Sequence, residues 1–438
     1  MKLVVLGNGF DLGSGLPTSY KDYFKNYNSK NNVTLKHVEN FLSMEVKSEI
    51  KHGHSHTNIK SNYHNREKEI FQKLSSHIEL ICSVACETNM SIWNLYFWFS
   101  DKNSNQNDKN YNWSDVENQI YRLIEDFSII TFLDNSQKIS EIEIKLSDFL
   151  KEINIGSYNS VSTSDVENYL NNIYFKFEKK DRFRYICDSI VSKRYGLDCE
   201  LDYLSILKRE LVLFEENFRG YITNISETRI NNNNKNKRIY RDNFFNVTND
   251  KEDSFFIINF NYTDFSSNKK KDNVLITRDK KKINVKQMNV HGVYYSKIIF
   301  GIDQTDQDKE KMYQFTKTYR KMELYNEISS TKLPKPQEID EIIIYGHSLS
   351  IADYSYFHSL FDYYDIYGSD IIVSFTYSLY GNESNYGNIK NGNVQKIMKL
   401  LKFYGDKMFD RERGKNLVHK MLLENRLIIR EIVLDSLE

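Results

Sequence analysis

The sequence predicts an α/β protein: a doubly wound, mainly parallel sheet with a large α-helical insertion. Three observations predict it. Residues 3–6 form a continuous apolar run, as a central strand covered on both faces requires, and runs of this kind return near Phe255. Stripes of helical period fill most of the interval between. Four short motifs follow apolar runs in fixed order: Gly7-Asn8-Gly9-Phe10-Asp11 continuing to Gly15-Leu16-Pro17, then Phe260-Asn261-Tyr262-Thr263-Asp264, Val290-His291-Gly292, and Gly346-His347-Ser348-Leu349. A Gly-rich turn, an Asn, a His and a second Gly turn, all at strand ends, are the parts of a nucleotide site in an open α/β sheet.

The first strand passes through the Gly turn into a helix marked by Tyr20, Tyr23, Phe24 and Tyr27. From there to about residue 250 the pattern is helical. Phe71, Leu74, Ile78, Ile81 and Ala85 share one face. Ser114 and Glu117 form a capping box ahead of Val116, Ile120, Leu123 and Phe127. Leu204, Leu207, Leu211, Phe214, Phe218 and Tyr221 make a third stripe. The Asn/Lys-rich tract at residues 231–238 carries no apolar side chain before Ile239 and reads as a mobile loop. Strands follow at Phe255-Phe256-Ile257-Ile258, Ile298-Ile299-Phe300, Ile342-Ile343-Ile344 and Ile371-Ile372-Val373. Helices are marked after Asp353 by Phe357, Leu360, Phe361 and Tyr364, and later by Val394, Ile397, Met398 and Leu401. Alternation of strand and helix predicts a parallel sheet. The expected organisation is a sheet domain from residues 1–28 and 250–438, split by a mostly helical insertion at 29–249.

At 438 residues the chain exceeds what one core usually supports. Its 60 basic and 60 acidic residues balance, which argues against a general nucleic-acid binder. No segment has the apolar length to span a bilayer, and the apolar start is too short for a signal peptide. Cys82, Cys86, Cys187 and Cys199 are few and form no C-x-x-C pair, so a cytoplasmic protein with reduced thiols is expected.

Each motif carries chemistry and also a plainer reading. Gly7 and Gly9 let a main chain turn sharply and approach a phosphate closely, but a G-x-G also occurs at ordinary strand–helix turns. Asp11 either binds a ribose or caps the helix. The Asn261 amide both donates and accepts, which suits a ribose hydroxyl or an attacking water, or else closes its own turn. His291 exchanges a proton near neutral pH, although a single His is often structural. The late turn wraps the second half of a dinucleotide, or Ser348 or Asp353 merely caps the next helix.

Taken together, the spacing Gly7-x-Gly9-x5-Gly15-x-Pro17 resembles the opening motif of sirtuin-like NAD-binding domains. Asn261 falls at their Asn-x-Asp motif, His291-Gly292 resembles their catalytic His-Gly, and Gly346-His347-Ser348-Leu349 their late Gly-x-Ser-Leu turn. The resemblance implies a Rossmann-like (sirtuin-like) sheet with NAD as substrate. Thr263 stands where sirtuins carry Asp, with Asp264 one step later, and the interval that holds their four-cysteine zinc module has no cysteine here. That weakens a protein-deacylase reading. Sirtuin-like defence NADases also lack the module and break the nicotinamide–ribose bond with an Asn and a His. Carried over, Asn261 positions the ribose and a water, and His291 acts as base or holds the ribose. Phe10 shields the site, Gly7 and Gly9 face the pyrophosphate, and Asn8, Asp11, Gly15, Pro17, Thr263, Asp264, Gly346, His347 and Ser348 line the nucleotide. No metal is expected.

The chain is more similar to the AbiH family of phage abortive-infection proteins. Gly7-Asn8-Gly9-Phe10-Asp11-Leu12 with Gly15-Leu16-Pro17-Thr18, and Trp113-Ser114-Asp115-Val116-Glu117, carry the likeness. So do Asn259-Phe260-Asn261-Tyr262-Thr263, His291-Gly292 with Phe300-Gly301-Ile302-Asp303, and Gly346-His347-Ser348-Leu349 with Asp353. The likeness implies a role in arresting or killing infected cells, with a small-molecule nucleotide and a phage-derived trigger as partners. Two roles stand open for the insertion: gating the site, or making the subunit contacts of a homo-oligomer.

Other clusters were weighed against this. His52, His54 and His56 offer imidazoles for a metal but sit in a polar loop. Lys269-Lys270-Lys271 and Lys280-Lys281-Lys282 suit nucleic acid or a solvated hairpin. Trp93, Phe97 and Trp98 make either a partner surface or core. Three functions compete: an NAD⁺-depleting enzyme, a non-catalytic nucleotide-binding sensor or toxin subunit, and a nuclease, the last resting on the lysines alone.

Overall fold

The computed structural model describes residues 1–43, 76–103, 116, 119–121, 123–124, 179–196, 203–248, 253–264, 273–278, 281–302, 310–324, 331–379, 386–408 and 410–437. The chain divides into two compact units. One comprises residues 1–23, 114–120 and 215–438, and the other residues 24–113 and 121–214.

The first unit is built on a seven-stranded sheet. Its strands are β1 (Lys2–Leu6), β2 (Ser254–Asn259), β3 (Asn273–Arg278), β4 (Lys281–Asn289), β5 (Glu341–Tyr345), β6 (Ile372–Ser378) and β7 (Leu427–Ile432). Their order is β3-β4-β2-β1-β5-β6-β7. Six strands run parallel; β3 alone is antiparallel, paired to β4. From β1 the chain fills one side with β2 and β4, then crosses to the other with β5, β6 and β7. The order therefore reverses at β1.

Parallel strands buried on both faces are apolar through their middles, and β1, β2 and β5 are, at residues 3–6, 255–258 and 342–344. Leu3, Val5, Phe256, Ile258, Ile342 and Ile344 enter one core. Val4, Leu6, Phe255, Ile257, Ile343 and Tyr345 enter the other. The first core is covered by the Tyr354–Tyr363 and Tyr386–Lys407 helices through Phe357, Phe361, Leu400 and Leu401. The second is covered by the Asn234–Thr248 helix, whose Phe244 meets the Phe255 ring edge-on at 5.3 Å. Each such side chain contributes about 1.5–3 kcal/mol by leaving water.

Several expectations meet corrections here. The 231–238 tract is not a loop: the Ser226–Asn231 π-helical turn leads into the Asn234–Thr248 helix. Asn233 Oδ1 accepts from the Lys235 and Asn236 amides, both at 3.1 Å, and so caps that helix. Its apolar payload begins a turn later, at Tyr240, Phe244 and Phe245, beyond the polar stretch. The Ile298-Ile299-Phe300 run is buried but makes only one bridge, Ile298 to Gly292, because the chain folds straight back on the turn after His291. Three strands carry too much charge or polarity to be read as buried: β3, β4 and the edge strand β7.

In the second unit, Trp93, Phe97 and Trp98 are core, not surface. The Trp93 indole N–H donates to the Leu207 carbonyl at 2.9 Å, and Phe97 packs on Phe24 and Phe214, each at 5.3 Å. Buried Glu210 pairs with Arg194 and accepts from the Tyr195 hydroxyl and the Ile92 amide. The His52/His54/His56 run, Lys269–Lys271, Lys280 and the Ser114/Glu117 capping box lie outside the described residues. Val116 and Ile120 are buried. No described helix is long and apolar enough to cross a membrane.

Candidate functional site

The four motifs meet along one edge of the sheet. Leu6 is in register with Asn259 of β2 and Tyr345 of β5, and Asn259 with Asn289 of β4. The turns after β1, β2, β4 and β5 thus lie side by side at the carboxyl ends of neighbouring strands. This is also where the strand order reverses, the usual place for a ligand in an open α/β sheet.

The two Gly turns pack on each other. Gly7 N–H donates to Tyr345 O at 2.9 Å and Gly9 N–H to Gly346 O at 2.7 Å. A Cβ on Gly7 would lie 2.5 Å from His347 Cα, and one on Gly9 2.6 Å from Gly346 Cα. Gly346 has φ +70°, and a Cβ there would meet Phe10 N at 2.5 Å. Backbone contact between the turns thus accounts for all three glycines, and the amides of Gly7 and Gly9 already have acceptors. Phe10 is fully buried between Tyr240 and Tyr345, at 4.9 and 6.3 Å. Gly15, at φ +86°, turns the chain beside the Leu437 backbone, and Pro17 O accepts from Tyr221 Oη at 2.7 Å. Asn8 Oδ1 accepts from Thr18 Oγ1 at 2.7 Å.

Asp11 joins the first motif to the second. Its Oδ1 accepts from Tyr240 Oη at 2.7 Å and its Oδ2 from Thr263 Oγ1 at 2.8 Å. Burial pushes this carboxyl up to about 6; the hydroxyls of Tyr240, Thr263 and Thr18 oppose the rise. Asp264 is also buried.

A ladder of side-chain amides shapes the second motif. Gln287 Nε2 donates to Asn289 Oδ1 at 2.7 Å, and Asn259 Nδ2 donates to Thr263 O at 2.8 Å and Asn289 Oδ1 at 3.3 Å. Asn259 Oδ1 accepts the Asn261 amide at 3.0 Å. This holds Asn261 in place, only 3% exposed, with its side-chain oxygen lacking a hydrogen-bond partner among the described residues. A buried, unpaired acceptor of this kind calls for an explanation, and a ligand donor is one.

The third and fourth motifs converge on Asp353. His291 Nε2 lies 3.5 Å from Asp353 Oδ1, His347 Nε2 3.4 Å from Oδ2, and Lys317 Nζ 2.8 Å from Oδ1. His347 Nδ1 accepts from Leu349 N at 3.0 Å, so its proton sits on Nε2 and points at the carboxylate. Burial pushes Asp353 up, but the Lys317 ammonium and both imidazoles outweigh it and hold the carboxyl well below its ordinary value. Burial, with the Lys317 charge, drives His291 down to about 4. At neutral pH His291 is therefore an uncharged imidazole. Asp353 accepts the Nε2 proton, and among the described residues Nδ1 has no partner. Phe260 and Tyr356 flank its ring at 5.4 and 5.6 Å. Gly292, at φ +84°, is required by the turn: a Cβ would lie 1.9 Å from Lys297 O. Ser348 is exposed and its hydroxyl accepts from Ser350 N at 3.3 Å.

The structure thus brings Asn261, His291 and His347 to one edge and leaves Phe10 in the core. Asp353 does not cap the helix it precedes; it is the hub. Lys317, at 2% exposure, had no sequence signal, since an isolated lysine in Phe-Thr-Lys-Thr-Tyr-Arg looks like a solvated face. The amide ladder through Gln287, Asn289 and Asn259 was equally silent. No described group of three or more His, Cys, Asp and Glu could hold a metal ion.

A family model described as bacteriophage abortive infection AbiH matches residues 3–375, which contain every site residue above. The chain belongs to the AbiH family. Its membership implies phage abortive-infection defence. Comparison with curated proteins and with solved structures finds no match. In this AbiH chain the match ends within β6, so the edge strand β7 and the Tyr386–Lys407 helix lie beyond it.

Proposed function

We propose that this AbiH protein is an abortive-infection effector that hydrolyses NAD⁺ at the nicotinamide–ribose bond. One observation carries the reading: just past the ends of the paired strands β2 and β4 come a buried Asn, whose side-chain oxygen has no partner among the described residues, and a His whose Nε2 faces a carboxylate. Breaking the C1′–N1 bond sends its electron pair to the pyridinium nitrogen and releases neutral nicotinamide. Positive charge builds on the ribose. Asn261 Oδ1 accepts from a ribose hydroxyl or the incoming water, and His291 Nδ1 takes the proton the water loses as it bonds to C1′. Asp353 holds the imidazole in the tautomer that leaves Nδ1 free. NAD⁺ and water become ADP-ribose, nicotinamide and a proton.

Purified protein incubated with NAD⁺, with products separated by chromatography, tests this. Wild type is expected to release nicotinamide; His291→Ala and Asn261→Ala are expected to be slower by about 10²–10⁴-fold, as loss of a proton-transfer group or its partner implies. Equal rates in all three would remove both residues from the mechanism.

A second reading is a nucleotide-binding subunit without turnover. It is favoured by the first Gly turn, whose Gly7 and Gly9 amides already serve Tyr345 and Gly346 rather than standing free for a pyrophosphate. Calorimetric binding of ADP-ribose with NAD⁺ left intact would select it.

A further inference from the structure

Beside His291, on the sheet face that carries Val5 and Ile258, lies a pocket of about 140 Å³. Its walls are apolar: Val5, Ile258, Phe260 and Leu360 among them. Among the described residues, Lys321 is the one charged residue lining it, and Tyr356 and Ser359 are the hydroxyl-bearing ones. Lys321 belongs to the Lys317–Glu323 helix, which sends Lys317 to Asp353 and Arg320 to Glu215. Those two cations have carboxylates. Lys321 has none among the described residues; its ammonium stands 5.9 Å from the centre of the Tyr356 ring. Burial holds it below the ordinary lysine value.

Lys321 is partly buried, so its charge, at the edge of an apolar cavity and without a carboxylate partner among the described residues, is only partly compensated, and a bound anion would complete that. A single cation matches a single negative charge; a phosphate dianion would bring a second charge against apolar walls. The volume sets the rest of the ligand, since an apolar cavity of about 150 Å³ admits benzene. We propose that this pocket binds a small monocarboxylate with a compact, benzene-sized apolar body, its carboxylate on Lys321 and its body against Val5, Ile258, Phe260 and Leu360. The inference stands apart from NAD⁺ hydrolysis, because binding is measured with no nucleotide present.

The test uses the full chain and 4-fluorobenzoate, followed by fluorine NMR, with 4-fluorobenzamide as the neutral probe of the same shape. Wild type is expected to bind the carboxylate saturably and more tightly than the amide. Lys321→Met keeps the apolar stem and removes the charge, so carboxylate binding should weaken by about tenfold or more, as loss of a charge-assisted contact implies. Lys321→Arg should retain most of it. Thermal melting checks that the variants fold; if Lys321→Met does not, the carboxylate-against-amide comparison on wild type still decides. No saturable binding to wild type, equal affinity for the two probes, or undiminished binding to folded Lys321→Met would overturn the proposal.

Discussion

His291 and Asp11 are buried titratable groups whose values move in opposite senses, and that gives the residue scale a sharp test. Asp11 is held up at about 6 from an ordinary 3.8. Between pH 4 and 6 the unfolded chain loses this proton while the folded chain keeps it, so stability falls as pH rises, by about 3 kcal/mol in all. His291 is held down at about 4 from an ordinary 6.5. As pH falls across that range the unfolded chain gains a proton that the folded chain refuses, so stability falls on acidification, again by about 3 kcal/mol. Asp353, held below 3.8, adds its loss only under that window. The two main effects oppose each other between pH 4 and 6. Urea titrations should therefore show Asp11→Asn losing stability relative to wild type on acidification, and His291→Gln gaining it. Parallel curves for all three proteins would contradict the burial account of both groups. The residue types at this edge were legible because they close strands in a recognisable order. Lys317 was not, because its partner Asp353 lies 36 residues away and only the fold brings them together.

At the scale of elements, the Gly turns and the Lys317–Glu323 helix hold the site. Gly9→Ala would place a Cβ 2.6 Å from Gly346 Cα, a backbone atom that cannot step aside. A loss on the order of 3 kcal/mol is expected in urea unfolding. Gly387→Ala is the control: nothing lies within 4 Å of its Cβ, and it sits in the Tyr386–Lys407 helix, where Ala should be neutral or stabilising by about 0.5–1 kcal/mol. Equal losses from the two would remove the turn-on-turn packing argument. Arg320 is 1% exposed and pairs with Glu215 at 2.8 Å, while Glu215 also accepts the Phe300 amide at 2.8 Å. Arg320→Met strands that carboxylate and should cost about 3–5 kcal/mol, part of which Glu215→Gln in the same chain should restore. No recovery in the double variant would mean that the arginine acts by packing alone. Sequence pattern found the strands that are apolar on both faces and passed over β3, β4 and β7, whose residues alternate with charge and polarity. The same logic misread residues 231–238: a capped first helical turn has no apolar face of its own to display.

For the whole molecule, the reversal of strand order at β1 is what makes four separate motifs one site. They are spread over more than three hundred residues of an AbiH chain, and only a sheet with β1 at its centre sets their turns side by side. The order of motifs made that sheet legible; the compact units, which change over at Tyr23/Phe24 and Phe214/Glu215, follow packing that no local signal marks. The most direct test is made in cells carrying wild type or His291→Ala and infected with a phage that the wild type restricts. Nucleotides are extracted through the infection and separated. NAD⁺ should fall, with nicotinamide and ADP-ribose rising, in wild-type cells alone. An unchanged NAD⁺ pool in wild-type cells that still stop the phage would contradict the account.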